Sequence, residues 1–277
     1  MAATPWTLLP YGALPDQVAE ITVPDGGGLL PLVLLLHGGV WREPHDRKHI
    51  RPLAAALAAT GVVVANVDYR RVGGAGGWPE TFDDVALATD TLVDLVEAAG
   101  LADVDRDAIA LVGHSAGGHL ALWASVRHLT DAGVPGHRGT PLAISGVVPL
   151  AGVVALSSLQ RTGPDADSVE RLMGGDPATV PDRYRGADPT LLGAPGCTVV
   201  LVHGTDDQAV PVGTARDYAA AHRGVELVEL PGTGHFEVID PASAAWPSVR
   251  DAVHRALGTS TSGSMVPGGD PVVSLPA

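Results

Sequence analysis

Short runs of β-branched and leucine residues alternate along the chain with longer, alanine-rich stretches in which apolar positions recur at helical spacing. Residues 32–36, 62–67, 108–112, 144–150, 198–202 and 225–229 read as strands, and 48–59, 81–98, 120–128, 214–221 and 242–257 as helices. Gly61 and Gly100 stand where two of those helices should stop. Strand and helix alternating in this way is the pattern of a mostly parallel central sheet covered by helices on both faces. An antiparallel start near 18–23 brings the expected sheet to about eight strands. Between 152 and 196 the period weakens and Pro, Gly and Asp accumulate, so a small cap or long loop should be inserted there. From 258 to 277 the chain is rich in Gly, Ser and Pro, and is expected to be a disordered tail beyond a single domain spanning 1–257.

Composition narrows the chemistry. Of 277 residues 45% are hydrophobic and 17% charged, ample for a large packed core. Seventeen basic against thirty-one acidic residues give a net charge of −14, which repels phosphate backbones and anionic membrane surfaces, so nucleic acid is excluded as a main partner. Cys197 is the only cysteine, which removes internal disulfides, C-x-x-C redox pairs and multi-cysteine zinc sites. No P-loop or H-E-x-x-H occurs. The first residues lack a basic start and an unbroken apolar run, and no later run reaches spanning length, so no membrane insertion and a cytoplasmic location are expected.

The strongest local signal is G-H-S-A-G-G at 113–118, between a strand and an alanine-rich helix. A serine at such a turn is held in a strained conformation that exposes its Oγ, and small neighbours let the chain turn. Ser115 is therefore the candidate nucleophile, and the Ala116 amide, at a helix start, can donate to an oxyanion. A second signal, H-G-G-V-W at 37–41, follows the strand at 32–36. Glycines there let the backbone approach a substrate, which makes Gly39 and Val40 candidate oxyanion donors. The His37 side chain fits a packing role, and Trp41 suits either the core or a pocket wall.

A serine nucleophile needs a base and a carboxylate that orients it. Among eleven histidines, His235 in G-T-G-H-F-E follows the strand at 225–229 and can hang over the carboxyl edge of the sheet. Asp206 and Asp207, in H-G-T-D-D-Q-A-V-P just past the strand at 198–202, are both candidates for the acid. His114 and His119 flank the nucleophile and are expected to brace the turn or line the pocket. His45 and His49 have i, i+4 spacing but no acidic partner of a known zinc motif, and read as a solvated helix start, so no metal is expected.

Taken together, H-G-G-V-W, D-Y-R at 68–70, G-H-S-A-G-G-H-L, and H-G-T-D-D…V-P with G-H-F resemble the α/β-hydrolase superfamily. Within it the chain is similar to the branch of kynurenine formamidases (arylformamidases) and small hormone-sensitive-lipase-like esterases. The resemblance spans about 32–257 and implies the α/β-hydrolase fold, with Ser115 as nucleophile, His235 as base and Asp207, rather than Asp206, as acid. It implies Gly39, Val40 and Ala116 as oxyanion donors and no metal or organic cofactor. The implied substrate is a small acyl amide or ester, formyl or acetyl on an aryl group, with short-chain and carbohydrate acetyl esters as the alternative. The chain before residue 32 is too short for the large cap of many such esterases, so 152–196 should enclose the substrate. Only eleven aromatic residues exist, and Trp41, Trp78 and Phe236, with His114, are the candidate pocket walls, while Trp123 fits the core.

Overall fold

A computed structural model describes residues 6–159 and 165–259. In chain order the first half carries β1 (Thr7–Pro10), β2 (Val18–Thr22), β3 (Leu29–Leu36), α1 (Arg51–Ala58), β4 (Val63–Val67), α2 (Glu80–Ala98) and β5 (Asp103–His114). The second half adds α3 (Ala116–Val126), β6 (Gly146–Leu150), α4 (Ser168–Met173), α5 (Pro181–Ala187), β7 (Thr198–Gly204), α6 (Val212–Ala221), β8 (Val225–Leu230) and α7 (Trp246–Leu257). The strands form one eight-stranded sheet in the order β1-β2-β4-β3-β5-β6-β7-β8. Only the β1–β2 and β2–β4 pairings are antiparallel.

Alternation along β3 divides the core in two. Leu32, Leu34 and Leu36 face a cluster built with Phe82 and Leu92 of α2 and Leu120 of α3. Val33 and Leu35 face the other cluster, with Leu53 and Leu57 of α1 and Val249 and Val253 of α7. Both faces are dry, which is why the central strands read as unbroken apolar runs. The eighth strand, which no periodic run announced, is β1. Most of its residues are exposed, and it is held by pairing with β2 instead of by burial.

Between β6 and β7 the chain makes the short helices α4 and α5, which pack Leu172, Met173 and Ala187 into the first cluster. The first turn of the expected helix at 48–59 is a separate 3-10 turn, Arg47–Ile50, and Pro52 sits in the first turn of α1, where its missing N–H costs nothing. The expected tail at 258–277 lies outside the described residues, apart from Gly258 and Thr259. No described helix is long and apolar enough to cross a membrane.

Candidate active site

Ser115 sits where β5 turns into α3, with φ 53° and ψ −116°. That strain is held by packing and hydrogen bonds on every side. Its amide donates to the Leu150 carbonyl (3.0 Å), and its own carbonyl accepts from the Val153 amide (3.1 Å). The glycines around it are steric requirements: a Cβ on Gly113 would collide with the Gly117 carbonyl, and one on Gly117 with the carbonyl oxygens of Leu36 and His37. The close approach of α3 to the end of β3 brings the serine beside the H-G-G segment.

Asp207 and His235 come from the loops after β7 and β8. Asp207 is buried, and its Oδ1 accepts from the Ala209 and Val210 amides, both at 2.8 Å. Its Oδ2 accepts from His235 Nδ1 at 2.7 Å and lies 3.3 Å from His203 Nε2. Burial by itself would raise the Asp207 pKa, but the hydrogen bonds from His203, His235 and Val210 outweigh it and hold the carboxyl far below the usual range. The Nδ1 bond fixes the His235 tautomer and leaves Nε2 as an acceptor. Asp206 is exposed and accepts from the Thr205 hydroxyl at 2.9 Å, so it points to a different task from its neighbour.

The backbone after β3 is unusual. Gly39, Val40 and Trp41 have φ of 111°, 48° and 56°, three successive residues in the left-handed region and one of them β-branched. Among the described residues no loop or turn hydrogen bond is donated by the Gly39, Val40 or Ala116 amides. They are open donors, which is the property an oxyanion hole requires. Behind the loop, Tyr69 Oη donates to the His37 carbonyl at 2.7 Å and its ring stacks on the His37 imidazole at 4.3 Å. His37 Nε2 in turn faces Asp68 at 3.1 Å, and Asp68 also pairs with Arg47 (2.6 Å) and with Arg71. Burial pushes the Asp68 pKa up, yet His37, Arg71 and Arg47 together bring it below the ordinary value.

A cavity of about 630 Å³ opens over these groups, lined by Ser115, His235, Gly39 and Val40 among others. His114 and Phe236 line it as the sequence indicates; Trp41 and Trp78 are not among its walls. Trp41 is 1% exposed and packs edge-on against His119, because the turn at 39–41 sends its side chain into the core. Trp78 instead packs against Phe82 of α2. Trp123 is core, donating its indole N–H to the Gly186 carbonyl at 2.9 Å.

His114 Nε2 donates to the His235 carbonyl at 2.9 Å, tying the loop that carries His235 to the turn that carries Ser115. Burial, then the nearby His235, pushes its pKa down to about 3, so the ring is neutral. Two features escaped the sequence. His203, the first residue of H-G-T-D-D, was legible as motif, but its donation toward Asp207 and to the Val210 carbonyl (2.8 Å) depends on the loop's path. His45 and His49, expected on a solvated helix start, also line the cavity. Among the described residues no cluster of three or more metal-ligating side chains occurs.

With this geometry in view, comparison with known proteins gives consistent results. The BD-FAE family model matches residues 20–221. The probable carboxylic ester hydrolase LipM of Mycobacterium tuberculosis is 29% identical over 80% of this chain, which spans 53% of LipM, about half its length. Kynurenine formamidase of Salmo salar is 24% identical over 84% of this chain and 75% of its own. Among solved structures, a truncated carbohydrate esterase from gut microbiota superposes with a TM-score of 0.77 at 20% identity, over 94% of this chain and 99% of that one. That likeness speaks for the fold.

Proposed function

The chain belongs to the BD-FAE family of α/β-hydrolases, and from that premise we propose that it is a serine hydrolase that cleaves carboxylic esters with a short acyl group. The observation that carries the reading is the His235 Nδ1 to Asp207 Oδ2 bond of 2.7 Å, beside a strained Ser115 in the same cavity. In this mechanism Ser115 Oγ attacks the carbonyl carbon while His235 Nε2 takes its proton. Asp207 holds the tautomer and stabilises the imidazolium, and the amides of Gly39, Val40 and Ala116 receive the oxyanion. The intermediate collapses as His235 protonates the leaving oxygen, giving an acyl-enzyme. Water activated by the same imidazole then releases the acid.

A second reading, arylformamidase action on a formyl aryl amide, is favoured by one feature. Phe236 lies 65% exposed at the cavity lined by Ser115, a flat apolar surface for an aryl leaving group. The relative named kynurenine formamidase supports the same reading. A cavity of about 630 Å³ is far larger than a formyl or acetyl group needs, so most of it is left for the rest of the substrate. We take residues 1–257 as one catalytic domain, with 152–196 shaping the entrance and a cytoplasmic location.

The test measures kcat/KM of wild type and Ser115→Ala on p-nitrophenyl acetate, acetylated sugars and N-formylkynurenine. Ester hydrolysis that disappears in Ser115→Ala supports the esterase reading, and a preference for N-formylkynurenine moves it to formamidase. Equal rates in the two proteins would overturn both.

A further inference from the structure

Resting on the hydrolase reading above, we propose that His45 and His49 form a hydrogen-bonding subsite beside the oxyanion loop that selects substrates carrying a hydroxyl or amide N–H near the scissile bond. Both side chains line the cavity that holds Ser115. His45 packs so closely over Gly39 that a Cβ on the glycine would collide with its own. His45 therefore lies directly against one of the candidate oxyanion donors, with His49 in the same cavity wall. His49 stands edge-on to His37, with ring centroids 5.9 Å apart.

The hydrogen bonds decide what the subsite offers. His49 Nδ1 lies 2.7 Å from the Asp46 carbonyl oxygen, which can only accept, so Nδ1 carries the proton. Although the residue is exposed, partial desolvation of the ring, followed by the neighbouring His37, lowers the His49 pKa and favours the neutral ring. Its Nε2 is then a bare acceptor, and among the described residues it has no partner. Neither ring nitrogen of His45 has one either. Val40, Leu159, Val210, Phe236 and Ile239 make much of the remaining wall apolar. The polar Asp165 and Gln208 in that wall already have partners: Asp165 pairs with Arg42 at 3.2 Å, and Gln208 Nε2 donates to the Asp206 carbonyl at 3.1 Å. A substrate hydroxyl or amide N–H would satisfy the His49 acceptor, whereas a plain alkyl group at the same place would strip its water and return nothing. His45 can accept or donate, so a hydroxyl, which does both, is the best fit to the pair.

The hydroxyl can come from the acyl or the alcohol part of the ester, and matched substrates separate the two. Ethyl glycolate against ethyl acetate tests the acyl side, and 2-hydroxyethyl acetate against ethyl acetate tests the alcohol side. For each pair the ratio of kcat/KM values is measured in wild type, His49→Phe, His49→Gln and His45→Phe. The ratio for one pair should fall about tenfold in His49→Phe and about threefold in His45→Phe. His49→Gln, which keeps an acceptor, should recover most of it. Ratios unchanged within about twofold in both pairs would overturn the subsite while Ser115-dependent hydrolysis of p-nitrophenyl acetate left the hydrolase reading standing.

A binding measurement decides the matter even if no ester is turned over. In Ser115→Ala, the imidazole nitrogen resonances of His49 should shift on adding ethyl glycolate or 2-hydroxyethyl acetate more than on adding ethyl acetate. An equal response to all three would sink the subsite.

Discussion

Two adjacent aspartates illustrate how much depends on the direction of a single side chain. Asp207 is enclosed and receives four hydrogen-bond donors, whereas Asp206 turns to solvent and holds a hydroxyl. Replacing Asp207 by Asn keeps the size but no longer stabilises the imidazolium and favours the wrong tautomer. kcat on p-nitrophenyl acetate should fall on the order of 10³–10⁴-fold, as in serine hydrolases generally. Asp206→Asn should stay within about twofold of wild type. Reversed effects in steady-state kinetics would move the acid to the other position. His203 shares the load on Asp207, so His203→Phe is expected to lower kcat more than it raises KM, by loosening the carboxylate without touching substrate.

Between residue and fold, the elements act as clamps on the reacting groups. α3 approaches the end of β3 only because Gly117 has no side chain, and Gly117→Ala would drive the two apart. Both thermal stability and Ser115-dependent turnover should drop in that variant, and an active, fully stable Gly117→Ala would contradict the steric account. α1 is held differently, by Leu57 at 0% exposure in the second core cluster. Leu57→Ala should cost about 2–5 kcal/mol in urea unfolding, since it leaves a cavity in a packed interior. Asp68 joins the 3-10 turn ahead of α1, through Arg47, to the backing of the loop at 37–41, through His37. Asp68→Ala removes a buried acceptor shared by His37, Arg47 and Arg71. Since Arg71 keeps Glu43 (2.8 Å) and Asp16 (3.2 Å), a loss of roughly 1–3 kcal/mol is expected in the same assay, together with reduced kcat.

Taken as a whole, the molecule should be acid-sensitive for a reason set by its buried imidazoles. His114 and His119 have pKa values lowered from 6.5 to about 3 and about 4, in both cases chiefly by burial. In the unfolded chain both bind protons below pH 6.5, while the native protein cannot until far lower, so protonation favours unfolding as pH falls. Over the first two pH units below 6.5 each should cost up to roughly 2 kcal/mol. The depressed carboxyls of Asp68 and Asp207 add to this only below their unfolded value of 3.8. Chemical denaturation at a series of pH values should show the decline, and His114→Gln should flatten part of it. A stability that rises on acidification would show that these rings are charged in the native state.

The parallel core, its five longer helices and the serine turn were all legible in the sequence, because each rests on short-range rules, whereas the short α4 and α5 fell in a stretch that read only as a cap or long loop. Buried strands must be apolar, helices repeat at 3.6, and a nucleophile turn needs small residues beside Ser115. β1 carried no such mark, since its place comes from pairing with β2 and it buries little. The roles of Trp41 and Trp78 were equally hidden: an aromatic near a site motif looks the same whether the backbone turns it inward or out. Three consecutive positive φ values decided Trp41. The choice between Asp206 and Asp207 came from resemblance, and the fold supplies its physical basis in the path of the loop after β7. His45 and His49 belong to the site only because the turn after β3 folds back over Gly39. Periodicity and motif spacing report what a residue does to its chain neighbours, whereas a cavity is made by residues distant in sequence. Which side chains line it was decided by the tertiary structure alone.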